Sequence, residues 1–321
     1  MKSIQKTVFK VESIGEPALK YLLNKPNLSI HSVFQKVVNL KTDSELLITI
    51  GNNELKNLPY GLLCNYKELD LRNRIRTDQK VQVDIKGFIL ISEGPYEIDF
   101  SHALVWSPIY QKIIKTSKLY KINKRLERLK KYSQDNASGR GLTSLSFVID
   151  ELISNQPIEC SNILEIKALK GIRTVIEGIR RYDHTRSVFG GLDLMGLGPG
   201  LTPSGDDLLV SLLLSVIVTN PEPIRSFALG VARELAKISM DRTTCVSINQ
   251  YLNAGEGYVS ERFMDVIDSI INLDDEMKLL QRAKCMISFG ETSGLEILIG
   301  LLVGISLSLE FHQKNVLNHN E

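Results

Sequence analysis

The chain has 321 residues, 43% of them hydrophobic and 24% charged, with 39 Lys and Arg against 37 Asp and Glu for a net charge of +2. That length suits about two domains, and the apolar content is enough for a sizeable core, which excludes intrinsic disorder. The near-balance of charge excludes a whole-protein electrostatic footprint for nucleic acid.

Cys64, Cys160, Cys245 and Cys285 are widely scattered and form no C-x-x-C pair. Neither a disulfide scaffold nor a zinc ribbon is expected, and a reducing compartment suits them. The first residues, MKSIQKTVFKVESIG, contain no continuous apolar core of a secretory signal. The longest apolar runs, Leu208–Val218 and Ile297–Leu309, fall short of the ~20 residues of a membrane span and read as buried helices. The expectation is a cytoplasmic globular chain with neither a nucleic-acid nor a membrane partner.

Residues 1–110 read as a β-rich domain, a sheet or small barrel. Residues 29–40, Glu45–Ile50 and Val81–Ile91 are short and β-branched, with alternation clearest from Val81 to Phe88. Asn52-Asn53, Pro59-Tyr60-Gly61 and Gly94-Pro95 punctuate them as turns. No Gly-rich loop follows a strand, so a dinucleotide-binding fold has no support.

Residues 111–321 read as a larger α-helical domain, giving an α+β chain. Leu119, Ile122, Leu126 and Leu129 form an amphipathic stripe. The opposite face, Lys112 to Lys131, is strongly basic; it suits a partner or nucleic-acid surface, but reads first as a solvated face, since the chain compensates the charge elsewhere. Ser133–Gly141 is a polar loop. Helices are expected near 145–154, 161–182, 205–218, 222–240, 243–253, 257–270, 274–287 and 292–309, with Pro221 and Pro223 at a helix start.

The segment Gly196-Leu-Gly-Pro-Gly-Leu-Thr-Pro-Ser-Gly-Asp-Asp207 runs straight into an apolar helix. Unbonded amides and the positive helix end make such a start a place for phosphate or carboxylate. Gly198, Gly200 and Gly205 would let a ligand approach the main chain, while Thr202 or Ser204 can cap the helix. The same letters also spell a stable helix start, with Asp206 and Asp207 favouring the dipole. It is not a Walker A loop, because no Lys follows the last glycine.

Glu291-Thr-Ser-Gly-Leu-Glu296 repeats the pattern of Thr202 to Asp207: Ser293 matches Ser204, Gly294 matches Gly205 and Glu296 matches Asp207. Two such helices packed centrally would point both starts into one pocket. Thr292, Ser293 and Gly294 would then join the anion site. Asp206, Asp207 and Glu296 are candidate ligands for a divalent cation such as magnesium bridging to the anion. Convergence on a good cap sequence is the alternative. Arg242, Thr243 and Thr244 offer a charged fork and hydroxyls for an oxyanion, although Asp241 or Thr243 also suits a helix cap. Cys245 has no histidine near it in sequence. His31, His102, His184, His312 and His319 show no zinc-ligand spacing.

The Gly196–Asp207 loop, the Arg242-Thr-Thr element and Gly290-Glu-Thr-Ser-Gly294, in that order, resemble the AllH family, and His31-Ser-Val-Phe34 fits as well. The resemblance spans residues 28–308. It implies a subunit of an oxamate carbamoyltransferase of anaerobic allantoin degradation, acting with two other proteins. The joint reaction would move a carbamoyl group between oxalurate and phosphate, giving oxamate and carbamoyl phosphate, from which a kinase can make ATP. The residues also leave open a non-catalytic protein that senses a small anion or nucleotide, or that serves assembly.

Overall fold

Short strands rich in Val, Ile and Leu account for the first part of the chain. The computed structural model describes residues 7–66, 70–84, 86–92, 96–160, 162–272 and 275–318. Contacts divide the chain into two units, Met1–Ile109 with Val259–Glu261, and Tyr110–Tyr258 with Arg262–Glu321.

The first unit contains β1 (Thr7–Gly15), α1 (Glu16–Leu22), β2 (Leu28–Val33), β3 (Val37–Thr42), β4 (Leu47–Asn52), β5 (Gly61–Cys64), β6 (Lys80–Val83), β7 (Phe88–Ile91), β8 (Tyr96–Asp99) and β9 (Leu104–Trp106). The strand order is β5-β4-β3-β2-β6-β7-β8-β1-β9, and β5 also pairs with β1. β1 achieves this by pairing with β8 over Thr7–Lys10 and with β5 over Val11–Ile14. Eight strands therefore close into a barrel, which removes the exposed edges of an open sheet, and β9 continues beside the end of β1. Ile14, Leu40, Ile48, Leu62 and Ile89 fill the core with no exposure. The β-branched run 29–40 is a hairpin of two strands, as is 81–91. The Gly94-Pro95 turn and His319 lie outside the described residues.

The second unit is helical: α2 (Leu119–Asp135), α3 (Ile149–Ser154), α4 (Ile163–Arg181), α5 (His184–Leu194), α6 (Ser204–Thr219), α7 (Ile224–Ile238), α8 (Cys245–Glu256), α9 (Glu261–Asn272), α10 (Glu276–Ile287) and α11 (Ser293–Asn318). Among the described residues no strand follows Trp106. α5 falls between two expected helices. A Cβ on its Gly190 would lie 2.6 Å from Val175 N and one on Gly191 2.8 Å from the Leu235 methyls, so the two glycines serve close packing against α4 and α7.

α6 and α11 form the centre. Every residue of α6 is buried, and three of its hydroxyls are satisfied within it: Ser211, Ser215 and Thr219 each donate to the carbonyl four residues earlier. Gly300 and Gly304 bring α11 against this surface, where a side chain at Gly300 would overlap Leu208 O. The apolar run expected to be too short for a span belongs to a longer helix. Its stretch Ser293–Gln313 has the length and composition of a span, and 78% of its most apolar window is buried inside the protein, as in a core helix. On the basic face of α2, Lys130 meets Glu127 and Asp150, and Arg128 meets Glu276. Among the described residues no disulfide joins the cysteines.

Candidate functional site at two helix starts

The chain leaves α5 and must reverse to enter α6. It does so on Gly196, Gly198 and Gly200, with φ of +70°, +112° and +106°, values that residues with side chains rarely adopt.

Asp206 fastens this loop from below. It is fully buried, and Oδ1 accepts from Gly196 N at 2.9 Å and from Tyr251 Oη at 2.8 Å, while Oδ2 accepts from Thr243 Oγ1. A carboxylate bonded through both oxygens holds structure together and leaves little for a ligand. Thr244 completes the arrangement: it caps α8 by accepting from Ser247 N and donates to Leu201 O at 2.5 Å. The cap thus sits one residue beyond Thr243. Arg242 is exposed, its backbone carbonyl against Gly196.

The repeat seen in sequence is a repeat in structure. Gly205 and Gly294 occupy the same place in their helices, each packed against the carbonyl of a preceding helix, Leu194 O and Met286 O respectively, with no room for a Cβ. Both are buried packing glycines, so approach of a ligand to the main chain is left to Gly198 and Gly200. The two starts touch: Thr202 Oγ1 and Ser293 Oγ lie 2.7 Å apart. The amides of Thr202 and Ser204 on one start, and of Thr292 and Ser293 on the other, make no hydrogen bond among the described residues. Ser204 and Ser293 are themselves nearly buried, while Pro199, Gly200, Leu201, Gly290 and Glu291 are exposed.

Asp207 lies between the starts. It is 1% exposed, and Oδ1 accepts from Gln250 Nε2 at 2.9 Å. Oδ2 is buried without a hydrogen-bond partner, as is Gln250 Oε1. Burial pushes this carboxyl up to about 7; Gln250 and the nearby Ser293 and Thr202 hydroxyls oppose the rise, and the charge of Glu296 adds to it. Neither hydroxyl is placed to make a well-formed bond to Oδ2.

Glu296 is fully buried, with Oε1 accepting from Leu142 N at 2.9 Å and Oε2 from Thr292 Oγ1 at 3.1 Å. Of the three acidic candidates, Asp207 Oδ2 is therefore the open oxygen. Among the described residues no three His, Cys, Asp or Glu side chains are grouped to hold a metal ion. Magnesium here would have one protein oxygen and would depend on oxygens of the substrate and water.

Several residues at the site have no signature in the sequence. Gly141, with φ +57°, lies over both starts: a Cβ there would overlap Glu296 Oε1 and come within 2.7 Å of Ser204 Oγ. Arg140 beside it pairs with Glu291. Gln250 and Tyr251 reach the two aspartates from α8, and only the fold brings that helix here. A cavity of about 480 Å³ lies elsewhere, between α2 and α10, lined by Lys121, Lys124 and Arg128; it contains none of these helix starts.

The fold and site define a two-unit α+β chain whose two most buried helices begin at one polar cluster. Family comparison agrees in both units. Residues 194–305 match the family described as oxamate carbamoyltransferase subunit AllH, and residues 10–105 match the AllH family N-terminal domain. The chain belongs to the AllH family. A subunit of such a transferase implies partner subunits. No curated protein and no solved structure matches the chain.

Proposed function

We propose that this chain is the subunit of an oxamate-type carbamoyltransferase that binds a small carboxylate or phosphate at the starts of α6 and α11. The observation that carries this reading is the contact of the two starts through Thr202 and Ser293. Two helix N-termini each contribute roughly half a positive charge, and unbonded amides there are ready donors to an anion. Gly198 keeps the approach open, since a Cβ would stand 3.0 Å from Ser204 N.

The chemistry suits the site. In carbamoyl transfer from oxalurate, a phosphate oxygen attacks the carbamoyl carbon, negative charge builds on its oxygen, and the C–N bond to the oxamate nitrogen breaks with the electron pair leaving on nitrogen, which takes a proton. Amides fixed at helix starts stabilise such an oxyanion without reorganising. Arg242 and Arg140, both exposed near this loop system, are placed to draw anions in. Partner subunits complete the enzyme, and the cytoplasm is the compartment for its intermediates.

The test is formation of carbamoyl phosphate from oxalurate and phosphate by the chain reconstituted with its partner subunits. Gly198→Ala and Ser204→Ala should each lower kcat/KM at least about tenfold, ~1.4 kcal/mol of transition-state binding, with assembly intact. Unchanged turnover contradicts the reading. Anion binding in a complex that never turns over supports the alternative of a sensing or assembly subunit.

A further inference from the structure

Asp207 and Gln250 present the converse of the helix starts. The amides of Ser204 and Ser293 lack acceptors, whereas Asp207 Oδ2 and Gln250 Oε1 are buried without a hydrogen-bond partner; above neutral pH, where the Asp207 carboxyl has given up its proton, both are acceptors that lack donors. Turning the Gln250 amide over does not mend this, because its oxygen would then face the Asp207 carboxylate in place of the present 2.9 Å bond from Nε2. A buried acceptor without a donor costs free energy, and such groups in native proteins call for an explanation. Asp207 is also the wrong group for a site that holds only anions, since a carboxylate repels another carboxylate or a phosphate.

We propose that Asp207 and Gln250 set the specificity of this site: Asp207 Oδ2 and Gln250 Oε1 accept the two N–H bonds of the NH2 group of the carboxamide or ureido anion that the reading above supplies, while its oxygens accept from the helix-start amides. The inference rests on the anion-binding reading above and gives it a direction: the nitrogen end of the ligand faces α8, and the oxygens face the starts of α6 and α11. Ser293 and Thr202, whose hydroxyls adjoin Asp207, are the side chains the ligand passes. Inorganic phosphate, with no N–H, leaves both acceptors empty and is a poor occupant of this position. Rejection of an analogue that lacks the matching N–H is how a buried polar site gains specificity.

Oxamate and oxalate are the probes, because they have nearly the same shape and differ in an NH2 group against a charged oxygen. Isothermal titration at pH 8 is carried out on the full chain and on its complex with partner subunits. Oxamate should bind at least fivefold more tightly than oxalate. Asp207→Asn, which offers an N–H where the wild type has a bare oxygen, should abolish or reverse that preference. A wild-type ratio below fivefold, as expected if ordered water satisfies both acceptors, overturns the proposal while leaving the anion reading standing. Binding of neither probe in either form overturns both. The wild-type ratio decides the matter even if the variant does not fold.

Discussion

Thr202 and Ser293 stand 91 positions apart in the chain, and their hydroxyl oxygens are 2.7 Å apart. This bond ties the entry of α6 to the entry of α11, the two helices that fill the centre of their unit. Replacing both partners by Val and Ala should show a coupling energy of about 0.5–1.5 kcal/mol in a double-mutant cycle read by urea unfolding. Strictly additive single losses would mean that the hydroxyls do not act as a pair.

Asp206 and Asp207 are neighbours with different roles. Asp206 organises three donors from three segments, Gly196 N, Thr243 Oγ1 and Tyr251 Oη. Asp206→Ala strands those buried donors and should cost about 3 kcal/mol or more of stability, while Tyr251→Phe, which removes one bond, should cost about 1–2 kcal/mol. Chemical denaturation measures both. A loss below about 1 kcal/mol for Asp206→Ala would show that the loop is held by other means.

Asp207 should make stability fall as pH rises towards neutrality. Its folded pKa is about 7 against an unfolded value of 3.8. Below about pH 4 both states keep the proton; between there and pH 7 only the folded state does; above 7 neither does. The contribution is therefore largest at low pH, declines through this window by up to about 4 kcal/mol, and then levels off. Asp207→Asn removes the decline, so its stability relative to wild type should grow between pH 4.5 and 7.5. A pH-independent difference between the two proteins in urea unfolding would place the carboxyl in a more solvated setting.

Gly198 and Gly139 separate filled space from backbone strain. Both have positive φ, +112° and +71°, so alanine strains either one. At Gly198 the new methyl stands over Ser204 N and Oγ at 3.0 and 3.1 Å, whereas at Gly139 nothing lies within 4 Å. Both variants should lose about 1 kcal/mol of stability or somewhat more, and only Gly198→Ala should weaken oxamate binding, by about tenfold or more. Equal binding losses would trace the effect to strain.

Much of this was legible in the sequence. The apolar runs of α6 and α11 announced buried helices, and the Ser-Gly-x-acidic repeat announced their common start, because helix entry is written locally in capping residues and glycine. Helices α4 and α6 to α10 lie close to their expected limits, and α11 starts where expected but runs on to Asn318, past the expected end at 309. β1 was hidden because its register shifts between Val11 and Ser13, which interrupts the alternation that marks a strand. β5, β8 and β9 are four residues or fewer, too short for a period to show. Arg242-Thr-Thr reads in sequence as an oxyanion cradle or a helix cap, yet Thr243 and Thr244 spend their hydroxyls on Asp206 and Leu201. Gly141, Gln250 and Tyr251 were invisible, since their part depends on packing between segments distant in the chain.

The most direct measurement follows backbone amide signals of the isotope-labelled chain by NMR during titration with oxamate. If the starts of α6 and α11 share one ligand, the amides of Ser204 and Ser293 shift together along a single binding curve, and both shifts vanish in Gly198→Ala. Movement of one amide without the other, or shifts confined to the lysines of α2, would contradict a shared site.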